Sequence, residues 1–139
     1  AENAAGIRQV LDATVAYAKE RFAFGRPIGA YQAIKHGLAE IAGQAQCAEV
    51  ATLYAAARLA SNAPDASHAA AIAKAYSGEH YPEAARVSIQ FFGAIGFTWE
   101  MPNHLYYKRA LANAAMFGTP QRHRVRALNM FRADKTQLH

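Results

Sequence analysis

The chain predicts an all-α fold, an antiparallel bundle of four long helices plus a shorter one, and three observations carry that expectation. Alanine occurs 34 times in 139 residues, a load that favours helix and lets helices pack closely. Apolar residues recur every three or four positions through most of the chain, the spacing of one helical face. The breaks between such segments are short and rich in glycine and proline, and no stretch reads convincingly as a strand.

The first helix is expected from about Asn3 to Phe24, with Ile7, Val10, Leu11, Thr14, Val15 and Ala18 on one face. It opens inside an amphipathic pattern without a clear cap, so Ala1 is not expected to be a natural start. Gly25 stops this helix and Pro27 forbids its continuation. The second helix, about Tyr31 to Ser61, carries Ile34, Leu38, Ile41, Ala45, Ala48 and Thr52 on one stripe and ends at Asn62-Ala63-Pro64-Asp65. A third runs from Asp65 or Ser67 to Phe92, and Pro82 is expected to kink or split it near His80. The fourth and shorter helix starts at Pro102-Asn103 and reaches about Met116, with Leu105, Ala112 and Ala115 facing inward. Gly118-Thr119-Pro120 reads as stop, N-cap and first position of a fifth helix ending near Ala133.

Composition narrows the class. With 53% hydrophobic and 18% charged residues, the chain is neither a disordered tail nor a coiled-coil rod, and its length suits one domain with one sizeable core. The net charge of +5 is placed at one end. Residues 101–139 carry seven basic side chains against Asp134 alone, a net +6, while the first hundred residues sum to −1. Such an end can hold nucleic acid, an acidic partner subunit or a phosphorylated cofactor, or it can be a solvated helix face. Cys47 is the single cysteine, which excludes disulfides within the chain and leaves no thiolate cluster for a metal. No apolar run reaches about 18 residues, and Ala1-Glu2-Asn3 does not begin a signal peptide. The chain therefore reads as soluble and cytoplasmic, without membrane insertion.

Two stretches stand out. Gln90-Phe91-Phe92-Gly93-Ala94-Ile95-Gly96-Phe97-Thr98-Trp99-Glu100 is aromatic-rich, glycine-punctuated and nearly free of charge. Its small residues admit close backbone approach to something flat or phosphorylated, with Phe97 and Trp99 as apolar cover. The same residues also read as a helix C-terminus with a glycine stop and a buried aromatic plug. The other stretch runs from Tyr17 to His36. Within it, Arg21-x-x-Phe24-Gly25-x-x-Ile28-x-x-x-Gln32-x-Ile34 resembles the signature joining the first two helices of the C-terminal domain in flavin-dependent acyl-CoA dehydrogenases. Gln90 to Phe97 is similar to their second signature, and Thr98-Trp99-Glu100 followed by His104-Leu105-Tyr106 resembles bacterial members. The resemblance spans essentially the whole chain, with both motifs in order.

That resemblance has specific implications. Complete members join an N-terminal helical domain, a middle β-domain and a bundle of this kind, and commonly form dimers or tetramers through the bundle. Residues 1–139 would then be the single C-terminal helical domain of a larger flavoprotein, with acyl-CoA as substrate and an electron-transfer acceptor as partner. By the same resemblance, Arg21, Phe24 and Gln32 hold the pyrophosphate and adenine end of FAD from the neighbouring subunit. Gln90, Gly93 and the backbone at Ala94 touch the adenine dinucleotide portion, and Thr119 and Gln121 lie beside the flavin. The residue types suit these roles: Arg21 offers a planar fork of donors, Gln32 and Gln90 can pair with a polar base edge, and Gly93 admits close approach. Arg21 has a plain alternative, an ion pair at a helix end with Glu20 or Asp12. Family signatures usually carry glycine where Ala94 stands, and the added methyl would narrow the groove there.

The family reaction removes an α-proton from an acyl thioester, which requires a desolvated, aimed carboxylate. In many members that carboxylate is a glutamate just before a Gly-Thr pair, whereas here Phe117 precedes Gly118-Thr119. A phenyl ring cannot accept a proton, so no residue is assigned as catalytic. Two explanations follow from the resemblance. Either the base lies on the first helix, near or upstream of Ala1, where Glu2 is the only acid at the appropriate end, or the chain is a non-catalytic assembly subunit of a heteromeric enzyme whose partner catalyses. Glu100 reads as a helix-start carboxylate near Pro102. The six histidines form no Glu-x-x-His pair, so no metal site is expected. Tyr106-Tyr107-Lys108-Arg109 mixes aromatics with charge, but without the pattern of a nucleic-acid module, so nucleic acid is not expected as a partner.

Overall fold

A computed structural model describes residues 1–136, with side chains to Ala133. Its helices are α1 (Glu2–Glu20), α2 (Gln32–Ala60), α3 (Ala66–Phe92), α4 (Asn103–Ala115) and α5 (Pro120–Thr136), with 3-10 turns at Ile28–Ala30 and Gly93–Phe97. α1 and α2 are antiparallel, tied by a paired Arg8 and Glu49 at 2.8 and 2.9 Å. α3 reverses again beside α2. α4 and α5 both run back along α3, because the turn at Met116 to Thr119 does not reverse the chain: Asn103 meets Ser88, Lys74 meets the Asn113 carbonyl, and Arg124 pairs with Glu79.

Three local expectations are corrected. α1 ends at Glu20, not Phe24, and Phe22–Ala23 (β1) pairs antiparallel with Arg26–Pro27 (β2), a miniature hairpin where no strand was expected. Its two loop residues, Phe24 at φ 51° and Gly25 at φ 81°, are both left-handed, as a tight hairpin turn with right-handed strand twist requires. Pro82 does not split α3, which is one helix on both sides of it. The lost backbone bond costs about 3 kcal/mol, offset by burial of Tyr81, Ala84, Ala85, Ser88 and Ile89 around and beyond it. In α4 the inward face is Asn103, His104, Ala110 and Asn113, while Leu105, Ala112 and Ala115 are exposed. Polar residues can occupy that face because each asparagine finds a partner, which an apolar-in rule does not anticipate.

The core gathers Ile7, Val10 and Leu11 of α1, Ile41, Ala45 and Ala48 of α2, Tyr81 and Ala84 of α3 and Ala110 of α4. Small side chains at the crossings bring the helices close; a methyl on Gly6 would fall 2.3 Å from the Tyr81 ring. Through this core runs a hydrogen-bonded chain. Asn103 Nδ2 donates to Ser88 Oγ at 2.8 Å, Ser88 and Thr14 share a bond of 2.7 Å, and Thr14 reaches the Val10 carbonyl at 2.6 Å. A hydroxyl has one proton to give, so the direction is Asn103 to Ser88 to Thr14 to Val10. Among the described residues no helix is long and apolar enough to cross a membrane.

Candidate functional site

One end of the bundle is built from the C-terminal turn of α1, the hairpin, the start of α2 and the last turn of α3. Tyr17 stacks on Phe92 with ring centroids 3.9 Å apart and planes 11° from parallel, and its hydroxyl donates to the Phe92 carbonyl at 3.4 Å. Phe91 covers Gly37, where a methyl would lie 2.6 Å from the ring. The Ile28 N–H bonds the Arg21 carbonyl at 2.8 Å, while the Tyr31 hydroxyl holds the Ala23 carbonyl at 2.9 Å and the Arg26 guanidinium lies over the Tyr31 ring at 4.0 Å.

These contacts bring Arg21, Phe24, Gln32, Gln90, Gly93 and Ala94 to one end, and all six are exposed. Phe24 is 98% exposed at the hairpin tip. The side chains of Arg21, Gln32 and Gln90 have no hydrogen bond or ion pair among the described residues, so the ion pair of Arg21 with Glu20 or Asp12 is not formed. Gly93 stops α3 at φ 70°, where a side chain is disfavoured, and a Cβ there would meet nothing within 4 Å. Both readings of this stretch hold in part: Phe92 is the buried plug, whereas Phe97 and Trp99 remain exposed. A free guanidinium, two free amides and an open glycine backbone make a donor set that fits a dinucleotide pyrophosphate and base.

Thr119 and Gln121 lie elsewhere. Pro120 packs on Gly78, its Cγ 3.2 Å from where a Cβ would stand, and Gly78 precedes Gln90 by about 18 Å of helix. Thr119 caps α5, its Oγ1 accepting the Arg122 N–H at 3.3 Å, and Gln121 Oε1 accepts from Arg124 at 3.4 Å. Just before them, Phe117 takes the left-handed φ of 59° and Gly118 a φ of 101°. The Phe117 carbonyl accepts a bond from His123 Nε2 at 2.9 Å. Phe117 is 89% exposed and borders two clefts: one of about 430 Å³ shared with Glu2, Asn3, Lys74 and Asn113, the other of about 600 Å³ shared with residues of α5.

Glu2 is engaged rather than free. Its oxygens accept from Arg109 Nε at 2.5 Å and Nη2 at 3.0 Å, and Arg109 first, then Asn113, pull its pKa down to about 2. A carboxylate so acidic and so paired is a weak proton acceptor near neutrality. Glu2 and Arg109 are 107 residues apart, a separation at which no local pattern marks the pair. The His123 bond to the turn was equally hidden, although Phe-Gly beside a helix start marks the strained backbone it holds.

This helical bundle, with its two signature turns, is of the acyl-CoA dehydrogenase C-terminal kind. Residues 1–128 match the family described as acyl-CoA dehydrogenase, C-terminal domain, and the chain belongs to that family. It is similar to acyl-CoA dehydrogenase FadE34 of Mycobacterium tuberculosis, 45% identical over 112 residues, which cover 79% of this chain and 16% of that protein. Against acyl-CoA dehydrogenase IpdE2 of Mycolicibacterium smegmatis the identity is 38% over 121 residues, 87% of this chain and 37% of the relative. The chain thus spans little more than a third of the longer-matched relative. Among solved structures, a chain from a study of the electron transferring flavoprotein of Acidaminococcus fermentans superposes with a TM-score of 0.89 at 29% identity, covering 93% of this chain and 34% of that one. Butyryl-CoA dehydrogenase from Megasphaera elsdenii shares the fold, with a TM-score of 0.88 at 24% identity over 93% of this chain and 33% of that one.

Proposed function

We propose that residues 1–139 are the C-terminal helical domain of a larger flavin-dependent acyl-CoA dehydrogenase, where they bind FAD and join subunits. The complete enzyme would oxidise acyl-CoA to 2,3-enoyl-CoA and pass electrons to an electron-transfer acceptor. The observation that carries this reading is that Arg21, Gln32 and Gln90, without hydrogen-bond or ion-pair partners among the described residues, lie at the same end of the bundle as the open backbone of Gly93. Arg21 would hold pyrophosphate by its planar fork, the two amides would read the base edge, and Phe24 and Ala94 would border the groove. Thr119 and Gln121 would lie beside the flavin, which when bound supplies the hydride acceptor. Phe24, Phe22 and Trp99 leave large apolar surface uncovered, as a surface meeting a neighbouring subunit does.

A second reading is favoured by one turn. By the family resemblance Phe117 stands where many members carry the base, and Glu2 is paired with Arg109; together these support a non-catalytic assembly subunit of a heteromeric enzyme. In the complete enzyme, Arg21→Ala should weaken FAD retention by about 1.5–3 kcal/mol, the range for hydrogen bonds to charged groups. Flavin content after gel filtration reads it, and an unchanged content overturns the assignment. Phe117→Glu in the same background separates the two readings: gain of dehydrogenation without a second polypeptide marks a site otherwise complete.

A further inference from the structure

His104 stands in the first turn of α4 and is 8% exposed. Its Nδ1 lies 3.0 Å from the Met101 carbonyl, which can only accept, so in the neutral ring Nδ1 carries the proton and one tautomer is fixed. That leaves Nε2 a bare acceptor, buried and without a hydrogen-bond partner among the described residues. Buried polar atoms are rarely left so. The imidazole meets the Trp99 indole in a T-shaped contact, ring centroids 4.6 Å apart and planes 80° from parallel, and Lys108 Nζ lies 5.3 Å from the indole centroid. Trp99 is otherwise exposed.

A second proton on this ring puts a charged Nε2–H where nothing accepts it. The surrounding charge has the wrong sign to help: the first turn of α4 is the positive end of a helix dipole, and Lys108 follows four residues on along the same helix face. α3, which packs on α4, brings Glu83 and Arg86, bonded to each other at 2.9 and 2.6 Å, with Tyr107 of α4 beside Arg86. The Gly93–Phe97 turn has no charged residue, and α1 meets α4 through its own pair, Glu2 with Arg109. Glu100 is a carboxylate without a partner among the described residues, and it is exposed. Burying a charge without an acceptor is costly, so the imidazolium is stable only when turned out toward water and Glu100. Turning out breaks the Met101 bond and the Trp99 contact together. A histidine kept only for packing gains nothing from a bare Nε2, and phenylalanine would fill the place without it.

We propose that His104 is a proton-sensitive latch: neutral, it holds Trp99 and residues 98–101 against α4, and protonated, it releases them. That segment is tied to the turn bearing Gly93 and Ala94, because the Thr98 N–H and Oγ1 both donate to the Ile95 carbonyl, at 3.0 and 2.8 Å. Release therefore loosens the turn. The consequence for a bound cofactor rests on the function proposed above, whereas the latch itself does not.

Trp99 is the single tryptophan, so the fluorescence of the 139-residue chain reads this spot alone. Between about pH 8 and 5, the range in which histidine changes charge, its anisotropy should fall in a one-proton step while helix content by circular dichroism stays constant. Side-chain ¹⁵N NMR should show His104 protonated at Nδ1 alone at the upper end. His104→Phe, and His104→Asn, which keeps a donor for the Met101 carbonyl, should each abolish the step, so one well-folded variant is enough. In the complete enzyme, acid should speed the loss of FAD from the parent more than from the variant. Anisotropy that stays constant, quenching without loss of anisotropy, a step that persists in the variants, or one that coincides with loss of helix overturns the latch. A step without any difference in FAD loss overturns its link to the cofactor and leaves the groove assignment, read by Arg21→Ala, untouched.

Discussion

Ser88 is the joint between α1, α3 and the start of α4, and its hydroxyl can be removed with almost no change in volume. It is 1% exposed, accepts from Asn103 Nδ2 at 2.8 Å and meets Thr14 at 2.7 Å. In Ser88→Ala, Thr14 keeps its bond to the Val10 carbonyl at 2.6 Å, so α1 loses little. Asn103 is buried as well, and its amide would be left without an acceptor. One buried, unsatisfied donor costs about 1–3 kcal/mol, and a value near 2 kcal/mol corresponds to a fall in Tm of roughly 6–8 °C for a domain of this size. Calorimetry and urea denaturation of the 139-residue chain give both numbers. Asn103→Leu added to Ser88→Ala removes the orphaned donor along with its lost acceptor, so the double variant should recover part of the loss. A single variant within 0.5 kcal/mol of the parent, or a double variant that simply adds two losses, would refute the hydrogen-bonded chain. The consequence reaches function, because this joint anchors the Gly93–Phe97 turn between α3 and α4, on which Gly93 and Ala94 stand.

Gly6→Ala should destabilise by about 1–3 kcal/mol or more from overpacking, since its methyl would sit 2.3 Å from Tyr81 Cζ, and Tyr81 is itself buried. Tyr81→Phe should not relieve the strain, whereas Tyr81→Leu should, by equilibrium denaturation of each pair. Glu2→Gln tests the tie between α1 and α4 through pH. The folded pKa is depressed from 4.5 to about 2, so the stabilisation is present above 4.5 and lost as pH falls through 2. The Tm of parent and variant should therefore differ above that window and converge below it; a constant offset at every pH would show that the carboxylate charge is not involved.

Helix content, helix order and most inner positions were legible because alanine load and three-to-four spacing are local properties. The buried stripe of α1, Ile7, Val10, Leu11, Thr14 and Ala18, is the one its periodicity indicates. What was not legible has non-local causes. Polar satisfaction decides the buried face of α4, and Ser88 lies 15 residues from Asn103, a distance no helical pattern covers. Pro82 survives within α3 because tertiary burial outweighs a local penalty. The hairpin at Phe24 was missed because Phe-Gly is a poor advertisement for a turn that Asn-Gly makes readily. In the candidate site, the residues that the two motifs single out share one end of the bundle, and Thr119 and Gln121, expected beside the flavin rather than the dinucleotide end, stand at a different level of α3.

That separation bears on how a missing base is to be understood. Along α3, the level of Thr119 and Gln121 lies about 18 Å from that of Gln90, too far for one small ligand to touch both. On the proposed reading this is expected, because the end bearing Arg21, Gln32 and Gln90 serves the dinucleotide of a neighbouring subunit while the turn at Thr119 serves the chain's own. One chain then contributes to two sites. On that reading Phe117 would take a proton acceptor from the second alone, since the clefts it borders include neither Tyr17 nor Phe92, whose stack supports the first. On the proposed reading, loss of a base and retention of a cofactor groove would thus be physically separable. A chain that cannot abstract a proton can still complete the cofactor groove of a partner that does.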